Sequence, residues 1–496
     1  MTHTEGCSGA SSASAKWLSV DWSHTEASVF RFQLRIAKAA KAKRWGKVKA
    51  LQRLLTRSHY ARLLAVKRVT SNKGKNTPGV DGTVWSSAKQ KWEAATSLSC
   101  RHYRSKPLRR IYIPKKNGKK RPLGIPTFFD RAIQALFLLA YEPVAEVTAD
   151  HHSYGFRPKR SAADAIERCF SLLAKRASSR WILEGDIKGC FDNISHSWLH
   201  QNLCVEPRRL GQWLKAGFME KGSLFPTEKG TPQGGIISPC LANGALDGMD
   251  RLLSSITKPT DKVHLVRYAD DFVITGNSKE LLENTIKPAI TAFLAKRGLA
   301  LSEEKTLITS IDQGFDFLGF NLRKYGDKLL IKPSKKGVKS FLDTMRLEVK
   351  KSISMPTAEL IQNLNRKITG WANYYRHVVA KRTFSRVDTV IFATLLKMVR
   401  KKHPKKSMEW IYRKYYTDIG MRRWIFNASF LAGSGEIKTV TLKRAADIPI
   451  RRHRQLRCAA IPYDVDCLDY FQDRANKIPQ TRHAVGSVNN TGFMRA

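Results

Sequence analysis

Acidic side chains are scarce in this chain. Its 496 residues include 41 Asp and Glu against 88 Lys and Arg, a net charge of +47. A field of one sign on that scale points to a polyanionic partner, nucleic acid ahead of an acidic membrane surface. Long apolar runs are missing as well. The longest, AIQALFLLAY at 132–141, has the length of a buried helix and falls short of the ~18 residues that suggest a membrane span. The first residues, MTHTEGCSGASSASAK, have no charged segment followed by an apolar one. No signal peptide is therefore expected, and the expected location is intracellular. The eight cysteines, at 7, 100, 169, 190, 204, 240, 458 and 467, form no CxxC pair, and no two lie closer than nine positions. That spacing argues against a zinc ribbon or treble clef. A disulfide framework is equally out of place in a long intracellular chain.

What is present is enough apolar material for real cores. A 42% hydrophobic share excludes wholesale disorder, and the length suggests about three domains. Residues 1–28 are rich in Ser, Ala and Thr and read as a flexible leader. Residues 29–99 read as a basic N-terminal extension. Positions 1–70 hold 14 basic and three acidic residues, and Leu51, Leu54, Leu55, Tyr60, Leu63, Leu64 and Val66 roughly follow helical spacing. SNKGKNTPGVDG (71–82) is a breaker cluster. Across 100–330 strand and helix patterns alternate. ILEGDI (182–187) and HLVRYADDFVITG (264–276) are the clearest strands, while 130–145, 161–177, 195–203 and 278–297 read as helices, giving an α+β core. From 331 onward the strand signal fades, and 34 basic residues face 12 acidic ones. Residues 331–423 read as helices with interleaved aromatic and basic residues, and 424–496 as a basic tail.

The segment with the most chemistry is Tyr268-Ala269-Asp270-Asp271. Adjacent carboxylates repel, and a strand accommodates the pair poorly. A hairpin turn with a bound divalent cation resolves the conflict, since hard cations take oxygen ligands. A two-metal site for phosphoryl transfer needs a further carboxylate. Asp186, at the end of the apolar strand WILEGD, is the candidate.

RYADDFVITG resembles the YxDD hairpin of reverse transcriptases, and EGDIKGCFDNI (184–194) resembles their first palm motif. IPKKNGKKRPLGIP (113–126), SYGFRPKRSA (153–162), TPQGGIISP (231–239), GLALSEEKT (298–306) and FLGF (317–320) follow the family's order. The spellings most resemble reverse transcriptases encoded by bacterial group II introns. QGGIISP fits that lineage's QGxxxSP pattern, against diversity-generating reverse transcriptases. GVDG (79–82) matches an extension motif of the same group, and GWANYYRH (370–377) resembles the maturase domain that also serves as thumb. The likeness spans roughly residues 45–425. It implies a right-hand polymerase, with fingers and palm followed by an α-helical thumb, in the bacterial cytoplasm and on the nucleoid when bound to DNA.

The resemblance also implies roles. Asp186 and Asp270 are expected to hold Mg²⁺, or Mn²⁺, with Asp271 in support and the Ile187 carbonyl as a further ligand. Lys115 and Arg121 match the clamp on the incoming triphosphate, Phe191 the steric gate under the sugar, and Gln233 the contact near sugar and base. Lys305 matches a lysine beside the departing pyrophosphate. Arg157 is expected on the template strand, and Phe317, Gly319 and Phe320 at the primer grip. Asp192 is expected to bond near the loop backbone instead of holding metal. Trp371, Tyr374 and Tyr375 either pack the helical bundle or stack on bases. The implied partners are group II intron RNA, an RNA template with a DNA primer, target DNA and dNTPs. RRHRQLRCAAIPYDVDCLDYFQDR (451–474) resembles the linker before an HNH endonuclease. No such endonuclease is expected here. Two other readings stay open at this stage: an RNA-binding splicing factor with an inactive polymerase, and a reverse transcriptase recruited to repair or defence.

Overall fold

The computed structural model describes residues 8–477 apart from 115–117, 119, 432 and 434. The described residues divide into two compact units, one within 8–165, 183–308 and 456–477, the other within 166–182 and 309–455.

The first unit opens with four helices, Ser8–Leu18, Trp22–Lys41, Trp45–Arg57 and His59–Ser71. The expectation of a flexible leader over 1–28 does not hold from Ser8 on. Trp17 and Thr25 are buried, Trp17 meets Trp22 edge to face at 5.1 Å, and the Asp21 side chain caps the second helix by accepting from His24 N at 3.0 Å. A Ser/Ala-rich segment has no packing face of its own, but two tryptophans supply one. Val29, Ile36, Leu51, Leu55, Leu63 and Val66 are buried as well. Several of these helices rest on the long helix Phe128–Thr148. That helix contains the apolar run 132–141 and is buried along nearly its whole length.

The strands β1 (Leu108–Pro114) and β2 (Lys120–Ile125) form an antiparallel hairpin, with Arg110 opposite Gly124 and Ile113 opposite Arg121. After them come β3 (Trp181–Asp186), β4 (Phe218–Glu220), β5 (Ser223–Phe225), β6 (His264–Tyr268), β7 (Asp271–Gly276) and β8 (Leu307–Ser310). One four-stranded sheet has the order β2-β1-β4-β5, the other β6-β7-β3-β8. Helices at His196–Asn202 and Ser238–Leu246 lie between the strands in sequence. Residues 456–474 also pack here. Tyr463 donates to the buried Glu142, and Arg474 pairs with the buried Asp164.

In the second unit, β9 (Phe315–Phe317), β10 (Phe320–Tyr325) and β11 (Lys328–Pro333) form an antiparallel sheet. Helices Lys335–Lys351, Thr357–Tyr375, Lys381–Lys402 and Met408–Tyr415 follow. Strand structure then returns: β12 (Tyr416–Ile419), β13 (Arg422–Leu431) and β14 (Ile437–Thr441) make a three-stranded meander inside the region expected to be thumb helix and tail. Its strands are short, and its faces are mostly exposed. The apolar alternation that marks a half-buried strand is therefore weak in the sequence. No helix among the described residues is long and apolar enough to cross a membrane.

Candidate active site

Asp186 is the last residue of β3, and Asp270 sits in the two-residue turn between β6 and β7. Tyr268 pairs with Asp271 across that turn, and Ala269 has φ +58°. A left-handed first turn residue matches the twist of a tight hairpin. Two glycines let the backbones meet. A Cβ on Gly155, in the SYGFRP segment, would lie 2.4 Å from the Ala269 nitrogen, and one on Gly185 would lie 2.2 Å from the buried Phe272 ring. Gly185→Ala is expected to cost about 1–3 kcal/mol by overpacking and to push β3 away from β7. Chemical denaturation checks the first effect and nucleotide incorporation the second.

The three carboxylates influence one another. Burial raises the pKa of Asp270, and the charge of Asp186 adds to the effect. Asp271, although its surface reaches solvent, is pushed up to about 6 by burial, then by Asp270 and Asp186. Asp271 also lies within hydrogen-bonding reach of Asp186. Lys305 Nζ donates to Asp186 Oδ2 at 2.8 Å, and that bond raises the lysine's own pKa. Beside Asp186, Ile187 faces Leu301 in an isolated antiparallel bridge. The flanking Asp186 O and Lys188 N take the bonds to Ser302 and Ala300 at 2.8 and 2.9 Å. In such a pair the carbonyl of Ile187 points away from Leu301 and stays outside that ladder.

Three acidic oxygen donors with one contacting lysine fit a hard divalent cation. Among the described residues, no group of three or more His, Cys, Asp or Glu side chains is placed to hold a metal ion by itself. An ion held here would take one or two carboxylates from the protein and complete its shell with water and substrate phosphates.

A second group lies on the neighbouring loops. Arg121, on β2, donates through Nε to Gln233 Oε1 at 2.6 Å, and Gln233 Nε2 donates to both oxygens of Asp192 at 3.1 Å. Asp192 is thus engaged by a side chain, where a loop-backbone contact was expected. Phe191 is buried against Phe156 at 6.3 Å, edge to face. Phe191, Asp192, Pro232, Gln233, Arg110 and Phe218 help line a cavity of about 210 Å³. Lys115 lies outside the described residues.

Arg157 departs from expectation. It is buried, and its guanidinium grips Glu146 through two bonds of 2.8 Å and donates to the carbonyls of Asp150 and Ser153. A template contact is therefore replaced by an internal ion pair. A motif spelling cannot reveal this, because the partner lies on the preceding helix. Phe317 and Phe320 are likewise core residues. Phe320 packs between Tyr374 and Tyr375. At the β9–β10 turn the carbonyls of Leu318 and Gly319 accept from the Tyr374 and Tyr375 hydroxyls. Trp371 stacks on Phe341 at 4.6 Å and Tyr375 is buried, whereas Tyr374 keeps an exposed edge.

Sequence reasoning missed Arg267, one position before Tyr268. It is fully buried. Its guanidinium reaches Asn243 Oδ1 at 3.2 Å, the Ala269 carbonyl at 3.4 Å and Asp247 Oδ1 at 2.5 Å. Asn243 in turn donates to the Gly155 carbonyl at 2.8 Å. Arg267 therefore holds the carboxylate turn from behind. A lone Arg in a strand of a basic protein gives no signal of this.

Residues 113–322 match the family described as reverse transcriptase (RNA-dependent DNA polymerase). Residues 17–98 match the N-terminal domain of reverse transcriptase, and 338–416 the maturase-specific domain of group II introns. The chain is 34% identical over 328 residues to the group II intron-encoded protein LtrA of Lactococcus lactis subsp. cremoris, covering 52% of this chain and 54% of that one. It is 32% identical over 332 residues to protein YkfC of Escherichia coli, covering 58% of this chain and 87% of that one. It thus spans about half the length of LtrA. Among solved structures, apo telomerase from Candida tropicalis aligns with a TM-score of 0.38 and 13% identity, over 61% of this chain and 64% of that one.

Proposed function

Because this chain belongs to the family of group II intron-encoded reverse transcriptases, we propose that it is an RNA-directed DNA polymerase that extends a DNA primer on an RNA template. On this reading it also binds group II intron RNA, assisting its splicing and its movement into target DNA on the nucleoid. The observation that carries the reading is the convergence of Asp186 with Asp270 and Asp271, with Lys305 in contact.

Asp186, Asp270 and the Ile187 carbonyl would hold Mg²⁺ or Mn²⁺, with Asp271 behind them. The bound ions would stabilise the attacking and leaving oxygens of the displacement. Arg121, with Lys115, would face the triphosphate of the incoming dNTP, where a cation offsets the charge of the phosphoryl oxygens. Gln233 is braced from both sides, by Arg121 and Asp192, and so could present a fixed edge to sugar and base. Phe191 would lie under the sugar and exclude a 2′-OH. Lys305 has a raised pKa and so carries a proton it could hand to the departing pyrophosphate. The maturase role is binding without chemistry, and it draws on the basic helices at 22–71 and 335–415. Recognition of this kind reads RNA shape and phosphates, so affinity should fall steeply with salt.

Primer extension by the purified chain tests the polymerase reading: cDNA synthesis that requires a divalent cation is expected, and a folded protein with none refutes it. Sequencing the RNA that co-purifies after expression with native flanking DNA tests the maturase reading. One dominant lariat is expected, and diffuse cellular RNA despite an intact intron transcript contradicts it.

The metal reading predicts a pH effect. With the Asp271 carboxyl at about 6, that group is ionised at pH 7.5, and a cation relieves the repulsion it feels. At pH 5 the cation must first displace a proton. Mg²⁺ should therefore raise the melting temperature more at pH 7.5 than at pH 5, and Asp271→Asn should flatten that difference. Thermal denaturation with and without Mg²⁺ checks both.

A further inference from the structure

The β12–β13 hairpin follows the last matched domain, which ends at residue 416, and its chemistry is unlike that of a buried meander. Thr417 pairs with Ile425 and Ile419 with Arg422, so the single residue Asp418 faces both Arg423 and Trp424. This is a β-bulge, a device that re-aims a side chain. Trp424 occupies the bulge with φ +57°, a conformation that glycine adopts freely and a bulky residue does not. Asp418 fixes it there by accepting from the Trp424 N–H at 2.8 Å.

This arrangement does not bury the indole. Tyr416 and Phe426 fill the inner side of the meander, whereas Trp424 is 54% exposed and lies stacked on Tyr412 at 5.1 Å with an interplanar angle of 26°. Met421, at the hairpin tip, is fully exposed. The surroundings are cationic: Arg423 and Lys414 are exposed, Lys414 lies 4.7 Å over Trp410, and residues 405–444 hold nine basic and three acidic residues. A strained backbone that holds an aromatic face in solvent, braced by a second ring and flanked by cations, suits a flat apolar group attached to phosphates.

We propose that Trp424 is a stacking platform for an unpaired nucleobase of single-stranded nucleic acid, with Arg423 and Lys414 taking the flanking phosphates. A paired base shows its faces only to its neighbours in the stack, so the platform selects unpaired positions. RNA and DNA share this chemistry, and the experiment separates them.

The full chain is irradiated with single-stranded RNA and DNA oligomers of one sequence carrying 5-iodouracil, and with the same oligomers in blunt duplexes, and the adducts are mapped by mass spectrometry. An adduct at Trp424 is expected with single strands and not with duplexes. Its appearance with RNA, with DNA or with both identifies the source. Trp424→Gly suits the local backbone and should keep the fold. It should abolish the adduct and weaken single-strand binding by about 5- to 100-fold, with the slope of affinity against salt unchanged because no charge is lost. Trp424→Tyr should restore most of the binding. Adducts confined to other residues, equal labelling of duplexes, or a Trp424→Gly variant that changes only self-association in sedimentation would each overturn the proposal. The adduct and the binding assay need no nucleotide incorporation, so this result stands or falls independently of primer extension.

Discussion

Asp270→Asn should lower primer extension on an RNA template by about a thousandfold and at the same time raise the melting temperature of the metal-free protein. The two effects share one cause. Burial, reinforced by the charge of Asp186, raises the pKa of Asp270. Asp271 is pushed up to about 6 by burial, then by Asp270 and Asp186. A carboxyl whose folded pKa lies above its unfolded value of about 3.9 favours the protonated form in the native state. Its destabilising effect is absent below that unfolded value, grows as pH rises toward the folded value, about 6 for Asp271, and is complete above it. Asparagine removes one charge and relieves its neighbour, so the melting temperature should rise at pH 7.5 and change little at pH 4. On the proposed reading, binding of intron RNA draws on phosphate contacts elsewhere and should persist. A folded variant that keeps wild-type cDNA synthesis would remove Asp270 from the catalytic set, and loss of stability at pH 7.5 would show that the carboxylates do not repel.

How much of this was legible in the sequence depended on the range of the interactions. β3 and the β6–β7 hairpin stood out because runs such as Phe272-Val273-Ile274 are buried on both sides, and buried strands read as continuous apolar stretches. The carboxylates were legible because two adjacent Asp residues inside such a pattern need a reason. The link from Arg121 through Gln233 to Asp192 was foreshadowed only as three separate motif positions, since 112 and 41 residues separate its partners. Arg157 was misread because its Glu146 partner lies eleven residues upstream on a helix face, and nothing in GFRP shows that the guanidinium turns inward. The helix Ser8–Leu18 and the start of Trp22–Lys41 were missed because their stability comes from Trp17, Trp22 and tertiary packing, whereas Ser-rich composition speaks only for local preference. The β12–β14 meander escaped notice because an exposed, bulged hairpin carries little of the alternation that strand reading depends on.

The same dependence on distant partners makes Arg267 the most consequential residue outside the carboxylates. Its backbone is bridged on one side to the SYGFRP segment: its N–H donates to the His152 carbonyl, and its carbonyl accepts from Tyr154, both at 2.9 Å. Its guanidinium neutralises Asp247, which burial pushes up to about 6 even with that cation beside it. Arg267→Met would leave Asp247 buried without its main partner and should cost about 3–5 kcal/mol. Adding Asp247→Asn removes the stranded charge, so the double variant should recover much of that loss, as expected when both members of a buried pair are replaced. Arg267→Lys separates stability from function. A lysine keeps the positive charge for Asp247 but lacks the fork that also reaches Asn243 and the Ala269 carbonyl. The turn would lose its brace from behind, and a displacement of about 1 Å in a reacting group is worth roughly a hundredfold in rate. Arg267→Lys should therefore fold, with a melting temperature close to wild type, and extend primers about a hundredfold more slowly, with the loss in kcat rather than in KM for dNTP. Wild-type kcat in that variant would mean that β6 and β7 hold the turn without the guanidinium. A loss confined to KM would move the residue's influence from the carboxylates to the nucleotide.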